Sequence, residues 1–337
     1  MKPNLFQYAT SELSQDAILC WLLSWSDNKH KVTDPILHEL GRNFLDSLYQ
    51  CANRTPPENY QSIEIYQQSG GIDIVCYVNG DTALVIEDKV GTKQHSNQLA
   101  RYKATISKRG FSPDKIILVY LQTRDQSNYS EAAQHGYSVY RRRDLLKVLE
   151  SSSGMAAQKE NNIVADYSSH LRRIENNVQG FRTLSPKNWT WESWIGFYLE
   201  LQNVFTDANW GYVPNQSGGF WGFWWQMQGD DKCRQYLQIE QAKFCFKIWV
   251  QDKGKRGALR NLWNRRILEE CTRHGLKARR PNRFGNGTCM TVAILDQEYR
   301  IVNDRNELDF PRTIEILKRA ESVLNHARSQ GGASADS

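Results

Sequence analysis

The sequence predicts an α/β (α+β) core, a central β-sheet flanked by helices, followed by a second α+β domain. Three observations carry this. Two short apolar stretches, Ile72 to Val78 and Thr82 to Lys89, are joined at Asn79-Gly80-Asp81 and are apolar on both faces, which marks central strands covered on both sides. A third apolar run, Lys115 to Leu121, reads as another buried strand, and segments of helical periodicity stand before and after the set. Composition then shifts: nine of the eleven tryptophans lie beyond residue 188, so the boundary is placed in Gln179 to Lys187. The expected division is 1–180, 188–327 and a disordered tail over 328–337.

A first helix, capped by Thr10 or Ser11, runs to about Ser26, with Leu13, Ala17, Ile18, Trp21, Leu22 and Trp25 as its buried stripe. Glu12 sits in its first turn, where the helix dipole by itself favours an acid, and Gln15 and Asp16 share its face. A second helix spans about Asp34 to Cys51 through Ile36, Leu37, Leu40, Phe44, Leu45 and Leu48. After a proline-bearing loop, Gln61 to Gln67 alternates as a strand, and Gly70-Gly71 lets the backbone bend before the hairpin. Gln94 to Arg109 reads as a helix, Ser138 to Tyr140 as a weak strand and Arg142 to Glu150 as a helix. Ser151 to Asn162 reads as a loop and Ile163 to Val178 as a helix. The second domain reads helix (191–205), three strands (220–227, 236–241, 244–250), helix (259–274), strand (290–295) and helix (312–326).

With 337 residues the chain can bury two cores, and neither a span-length apolar run nor a signal peptide is visible. A cytoplasmic protein without membrane contact is expected. The seven cysteines are odd in number and form no C-x-x-C pair, so neither a zinc site nor a disulfide framework is indicated. Net charge is +6, yet Asp252 to Arg283 holds eleven Lys or Arg against three acids, a local +8. Lys253, Lys255, Arg256, Arg260 and Arg265 open this stretch, and Arg266, Arg279, Arg280 and Arg283 continue it. It reads either as a surface for a polyanion or as a solvated helix face. Trp263 falls on the apolar face of its helix and is expected in the core.

The hairpin carries acids where strands seldom carry them, since burying an ionised group is costly unless it is paired or metal-bound. Strand parity puts Asp73 with Val75 and Tyr77 on one face, and Glu87 with Lys89 on one face of the second strand, Asp88 pointing the other way. If the loop holds three residues, Val78 pairs with Thr82, and Asp73, Glu87 and Lys89 converge. A two-residue Asn-Gly turn would slip the register by one and require a compensating bulge.

Asp73 followed by Glu87-Asp88-Lys89 on paired strands resembles the PD-(D/E)XK nuclease superfamily. Gly71-Ile72 replaces the proline that commonly precedes the first acid. Gln98-Leu99-Ala100-Arg101-Tyr102 is similar to the Q-x-x-x-Y helix of RecB-like members, and Glu12-Leu13-Ser14-Gln15-Asp16 to a branch in which a helix acid helps hold metal. The resemblance covers about residues 1–180 and implies a restriction-endonuclease-like core with a central mixed sheet. It implies Mg²⁺, which Mn²⁺ can replace, held by Asp73, Glu87 and the Asp88 carbonyl, with Glu12 adding a carboxylate. It implies Lys89 orienting water and stabilising charge on phosphate, with Gln98 and Tyr102 bracing from the helix. Plain helix–sheet packing is the rival account of Gln98 and Tyr102.

Hydrolysis of DNA is therefore the expected activity, in a bacterial, phage-related or mobile-element setting such as defence or restriction. The same chemistry on RNA and a non-catalytic binding or assembly module are the alternatives. A protein partner or a second copy could meet the C-terminal domain.

Overall fold

The computed structural model describes residues 3–91, 98–215 and 218–330, with Gln98 described by its backbone alone. The chain forms two compact units, Met1–Asn176 and Asn177–Ser337.

The first unit opens with α1 (Glu12–Ser24), where the Ser11 hydroxyl accepts the Ser14 N–H at 3.2 Å and so caps the helix. Helix α2 (Pro35–Cys51) begins with Asp34 as cap and proline at its first turn. The two helices cross where a Cβ on Gly41 would meet the Leu22 carbonyl oxygen at 2.6 Å, so no larger residue fits there. Strands β1 (Ile63–Ser69), β2 (Ile72–Val78) and β3 (Thr82–Lys89) follow, then α3 (Gln98–Lys108) and β4 (Ile116–Gln122). Next come α4 (Ser130–Gln134), β5 (Ser138–Arg141), α5 (Arg142–Leu149), α6 (Ser152–Glu160) and α7 (Asn162–Gln179).

The sheet order is β1-β2-β3-β4-β5, with β1, β2 and β3 antiparallel in turn and β4 and β5 added in parallel. This is the mixed sheet flanked by helices that the resemblance implies. Ile74, Cys76, Leu84 and Ile86 bury one face together with α1, α2 and the helices after β5. Val75, Ala83 and Val85 bury the other beneath Leu99, Tyr102 and Ile106 of α3.

Three sequence expectations need correction. Leu13 and Ala17 are exposed while Gln15 and Asp16 are buried, so α1 turns a polar edge inward where it meets the end of β3. The expected loop over 151–162 contains α6. Ser151 caps it by accepting the Gly154 N–H at 3.3 Å, and Asn43 reaches Ser153 at 2.8 Å, so packing on α2 outweighs weak helix propensity. The last helix continues past residue 327 through Ser329, and 331–337 lie outside the described residues.

The second unit contains α8 (Trp191–Gln202), β6 (Asn209–Val213), β7 (Phe220–Gly229), β8 (Arg234–Glu240) and β9 (Lys243–Trp249). It continues with α9 (Arg256–Arg273), β10 (Ala278–Arg279), β11 (Cys289–Leu295) and α10 (Phe310–Ser329). Its antiparallel sheet has the order β10-β11-β9-β8-β7-β6, and the short edge strands β6 and β10 were not expected from the sequence. Trp194, Phe197, Phe223, Trp225, Trp263 and Leu317 lie in one core, so Trp263 is a packing residue, as its helical position predicts. No helix among the described residues is long and apolar enough to cross a membrane.

Candidate active site

The β2–β3 hairpin sets the geometry. Asn79 and Gly80 are both left-handed (φ 53° and 70°), and the Asp81 N–H donates to the Val78 carbonyl at 3.2 Å. The ladder resumes at Val78↔Thr82 and runs to Ile74↔Ile86, so Asp81 is the extra residue and Asp73 falls opposite Glu87. The Asn79 side chain fastens the turn by accepting the Gln61 N–H at 2.8 Å and donating to the Asn59 carbonyl at 2.9 Å.

Lys89 lies among three carboxylates. Its Nζ is 2.8 Å from Glu87 Oε1, 3.6 Å from Glu12 Oε2 and 3.7 Å from Asp73 Oδ2. Asp73 Oδ2 also accepts the Asp88 N–H at 3.0 Å, and Glu12 Oε1 accepts the Val90 N–H at 3.4 Å. Glu87 and Lys89 are 0% and 5% exposed. Glu12, set one turn before Gln15 and Asp16, is thus delivered to the site by the same inward edge of α1.

Burial, with the Asp73 charge adding to it, pushes the Glu87 carboxyl up to about 7, against the opposing charge of Lys89. Burial alone would push the Lys89 ammonium down. Its contact with Glu87, then the charges of Glu87, Asp73 and Glu12, hold it above its ordinary value. Three acids against one ammonium make the cluster short of positive charge. Glu87 Oε1 is in close contact with Lys89, whose ammonium is its donor, while no hydrogen-bond partner reaches Oε2.

Behind this face, Asp88 points to the opposite side of β3, as its parity predicts. Gln15 donates to Asp88 Oδ1 at 2.5 Å while its own oxygen accepts the Thr123 hydroxyl at 2.6 Å, so the amide has one orientation. The Thr123 carbonyl accepts Arg142 at 2.7 Å, and Arg142 is held in turn by Asp125 and Glu175. Burial drives the Asp88 carboxyl well above its usual range; Gln15 opposes the rise, and the neighbouring Asp16 charge adds to it. Gln68 donates to both Asp16 Oδ2 (3.0 Å) and Asp73 Oδ1 (3.3 Å). Gln68 and Thr123 were not singled out in the sequence. A signal for Gln68 existed: a two-residue turn at Gly70-Gly71 places position 68 across from position 73.

Tyr102 is fully buried in the core between α3 and the sheet. The Gln98 side chain lies outside the described residues. In the second unit the predicted cations divide. Arg256 donates to the Val250, Gln251 and Asn286 carbonyls and to Thr288, and Arg279 is paired with Asp296. Arg260 donates to the Gly285 carbonyl, and Arg260 and Arg280 both lie over Phe284, at 4.7 and 4.2 Å. Arg266 lies over Trp263, and Lys255 is 3.6 Å from Asp252. Lys253, Arg265 and Arg283 are exposed.

A hard divalent ion fits the first-unit cluster. Mg²⁺ binds through one or two carboxylates while keeping waters, and Asp73 and Glu87 are two such groups, the second of them buried with one oxygen, Oε2, that accepts no hydrogen bond. Among the described residues no group of three or more His, Cys, Asp or Glu side chains is placed to hold a metal ion by itself.

Residues 3–182 match the sequence model of a family in the PD-(D/E)XK nuclease superfamily. No curated protein and no solved structure matches the chain.

Proposed function

The chain belongs to the PD-(D/E)XK nuclease superfamily, and we propose that it is a Mg²⁺-dependent nuclease hydrolysing phosphodiester bonds in DNA through Asp73, Glu87 and Lys89. The observation that carries this reading is Lys89 within 3.7 Å of three carboxylates, Asp73 and Glu87 on one face of the hairpin and Glu12 from α1.

Asp73, Glu87 and the Asp88 carbonyl would hold the ion, with Glu12 as a further carboxylate and Mn²⁺ as a substitute. When bound, the ion supplies positive charge that polarises the scissile phosphate and acidifies a water. Glu87 holds a proton readily at neutral pH, because its carboxyl is raised by burial, and it surrenders that proton when it serves as a ligand. Lys89 stays charged, orients the attacking water and stabilises the charge that builds on the phosphate oxygens. Tyr102 would brace Lys89 from α3, and the resemblance assigns the same role to Gln98, whose side chain lies outside the described residues. The second unit is proposed to hold the substrate strand through Lys253, Arg265 and Arg283, with the other predicted cations of that segment shaping the surface. The setting proposed is cytoplasmic defence or restriction.

The test incubates purified protein with labelled single- and double-stranded DNA and RNA in Mg²⁺, Mn²⁺ or EDTA. Cleavage of DNA that stops in EDTA and falls at least about 100-fold in folded Asp73→Ala, Glu87→Ala and Lys89→Ala variants is expected. Cleavage persisting in all three would remove the site. Cleavage of RNA alone would reassign the substrate, and no cleavage of any substrate would favour a binding module.

A further inference from the structure

The positions Gln67↔Ile74 and Ser69↔Ile72 flank Gln68 and set it across from Asp73. Its backbone is left-handed, φ 52°, a strained conformation for a residue with a Cβ. The β1–β2 turn does not account for this, because Gly70 and Gly71 (φ 66° and 80°) already supply the two left-handed residues a tight turn needs. What the twist at Gln68 achieves is direction. Asp73 belongs to the α3 face of the sheet and Asp16 to α1 on the other, and the Gln68 amide reaches both, at 3.3 and 3.0 Å.

The effect on Asp73 is specific. Oδ2 is held by the Asp88 N–H at 3.0 Å and faces Lys89 at 3.7 Å, whereas Oδ1 accepts from Gln68. With both oxygens held, the carboxylate plane is set. Without Gln68, Asp73 would pivot about its Oδ2 contact, and Asp16 would lose the donor that separates it from a second acid.

We infer that Gln68 is a positioning residue that sets the Asp73 carboxylate for a divalent cation, at the expense of local backbone strain. The inference rests on the metal-dependent reading above. It concerns cation binding before any substrate arrives, so it is read without cleavage.

The experiment measures Mn²⁺ binding to the full chain without nucleic acid, by the electron paramagnetic resonance signal of the free ion, together with the thermal midpoint. Gln68→Gly accepts the left-handed backbone and removes the amide. It should keep or raise the midpoint while weakening Mn²⁺ binding about tenfold, the scale for loss of a group that orients a metal ligand. Gln68→Asn also tolerates that backbone and keeps an amide one methylene shorter, so it should recover part of the affinity. Asp73→Ala should abolish binding at the site. If Gln68→Gly binds Mn²⁺ as tightly as wild type while Asp73→Ala does not, Gln68 has no positioning role and the metal site stands. If Gln68→Gly and Gln68→Asn lose midpoint and affinity together, Gln68 is structural only. If Asp73→Ala binds like wild type, the metal reading fails and takes this inference with it.

Discussion

In the five-stranded sheet, Glu87, Asp88 and Lys89 end a central strand at 5% exposure or less, whereas no strand of the six-stranded sheet buries a charged side chain among the described residues. The second sheet fills its interior with Phe223, Trp225, Phe244 and Phe246, and the polar strand residues it does bury are Gln235 and Gln238. Burying an aromatic side chain stabilises by roughly 1.5–3 kcal/mol, while burying a charge costs several unless partners compensate. One sheet therefore gains stability from its interior, and the other gives some up to keep acids and a lysine out of water. That difference marks the first sheet, and not the second, as the place of the candidate site without reference to any relative.

The comparison is broken most forcefully by attacking the aromatic core. Trp225→Ala should destabilise the second unit by about 3–5 kcal/mol, since it removes a fully buried ring and leaves the Glu321 carboxylate without the indole N–H it accepts at 2.8 Å. Urea unfolding would show the loss, while Mn²⁺ binding by the folded protein should be unchanged. Equal loss of both would mean that the two units are not separate in function.

The charged sheet should instead respond to pH. The Glu87 carboxyl is raised from 4.5 to about 7, so between those values the folded protein binds more protons than the unfolded chain. Its contribution to stability is complete below pH 4.5 and is lost as pH rises through about 7. In EDTA, wild type should lose up to about 3 kcal/mol more than Glu87→Gln between pH 4.5 and about pH 8, measured by urea unfolding. Asp16 and Asp88 are also raised by burial but are present in both proteins, so the comparison isolates Glu87. A pH dependence identical in the two proteins would contradict the assignment.

The smallest effect concerns the second unit's cations. Replacing Lys253, Arg265 and Arg283 with Gln should weaken DNA binding and lower the salt slope by about one for each phosphate that no longer meets a cation. Arg256→Gln should act differently, lowering stability, because that guanidinium ties Val250, Gln251, Asn286 and Thr288 together. An unchanged salt slope in the triple variant would leave the patch as a solvated face.

Strand parity was legible because alternation is a property of one segment. It placed Asp73, Glu87 and Lys89 together and turned Asp88 away, given the extra residue in the turn. The Ser11 or Thr10 cap and the acid at Glu12 were legible for the same local reason. The buried face of α1 was not: Leu13 and Ala17 fit an apolar stripe, yet Gln15 and Asp16 are the residues turned inward. Periodicity ranks residues by polarity, and it cannot know that a polar edge will find Asp88, Thr123 and Gln68 across the fold. Helix α6 has a Ser-rich sequence of weak helix propensity, and the packing on α2 that supports it, seen in the Asn43–Ser153 contact, is not visible in a local pattern.

By itself, the sequence determined which side chains the hairpin could bring to one face, since two residues per pleat is a constraint of the backbone alone. Tertiary structure decided that the Asn79-Gly80 turn would carry Asp81 as its extra residue, which settles the register. It also decided that Glu12 would come within 3.6 Å of Lys89 and that Gln68 would twist to join Asp16 with Asp73. The pairing of Gln68 with Asp73 follows from the short turn between them, but the contacts of Glu12 with Lys89 and of Gln68 with Asp16 join residues from distant parts of the chain, and no local pattern encodes them. They depend on how α1 packs against the sheet, where the burial of Leu19, Leu22 and Leu23 holds the helix against the acids it completes.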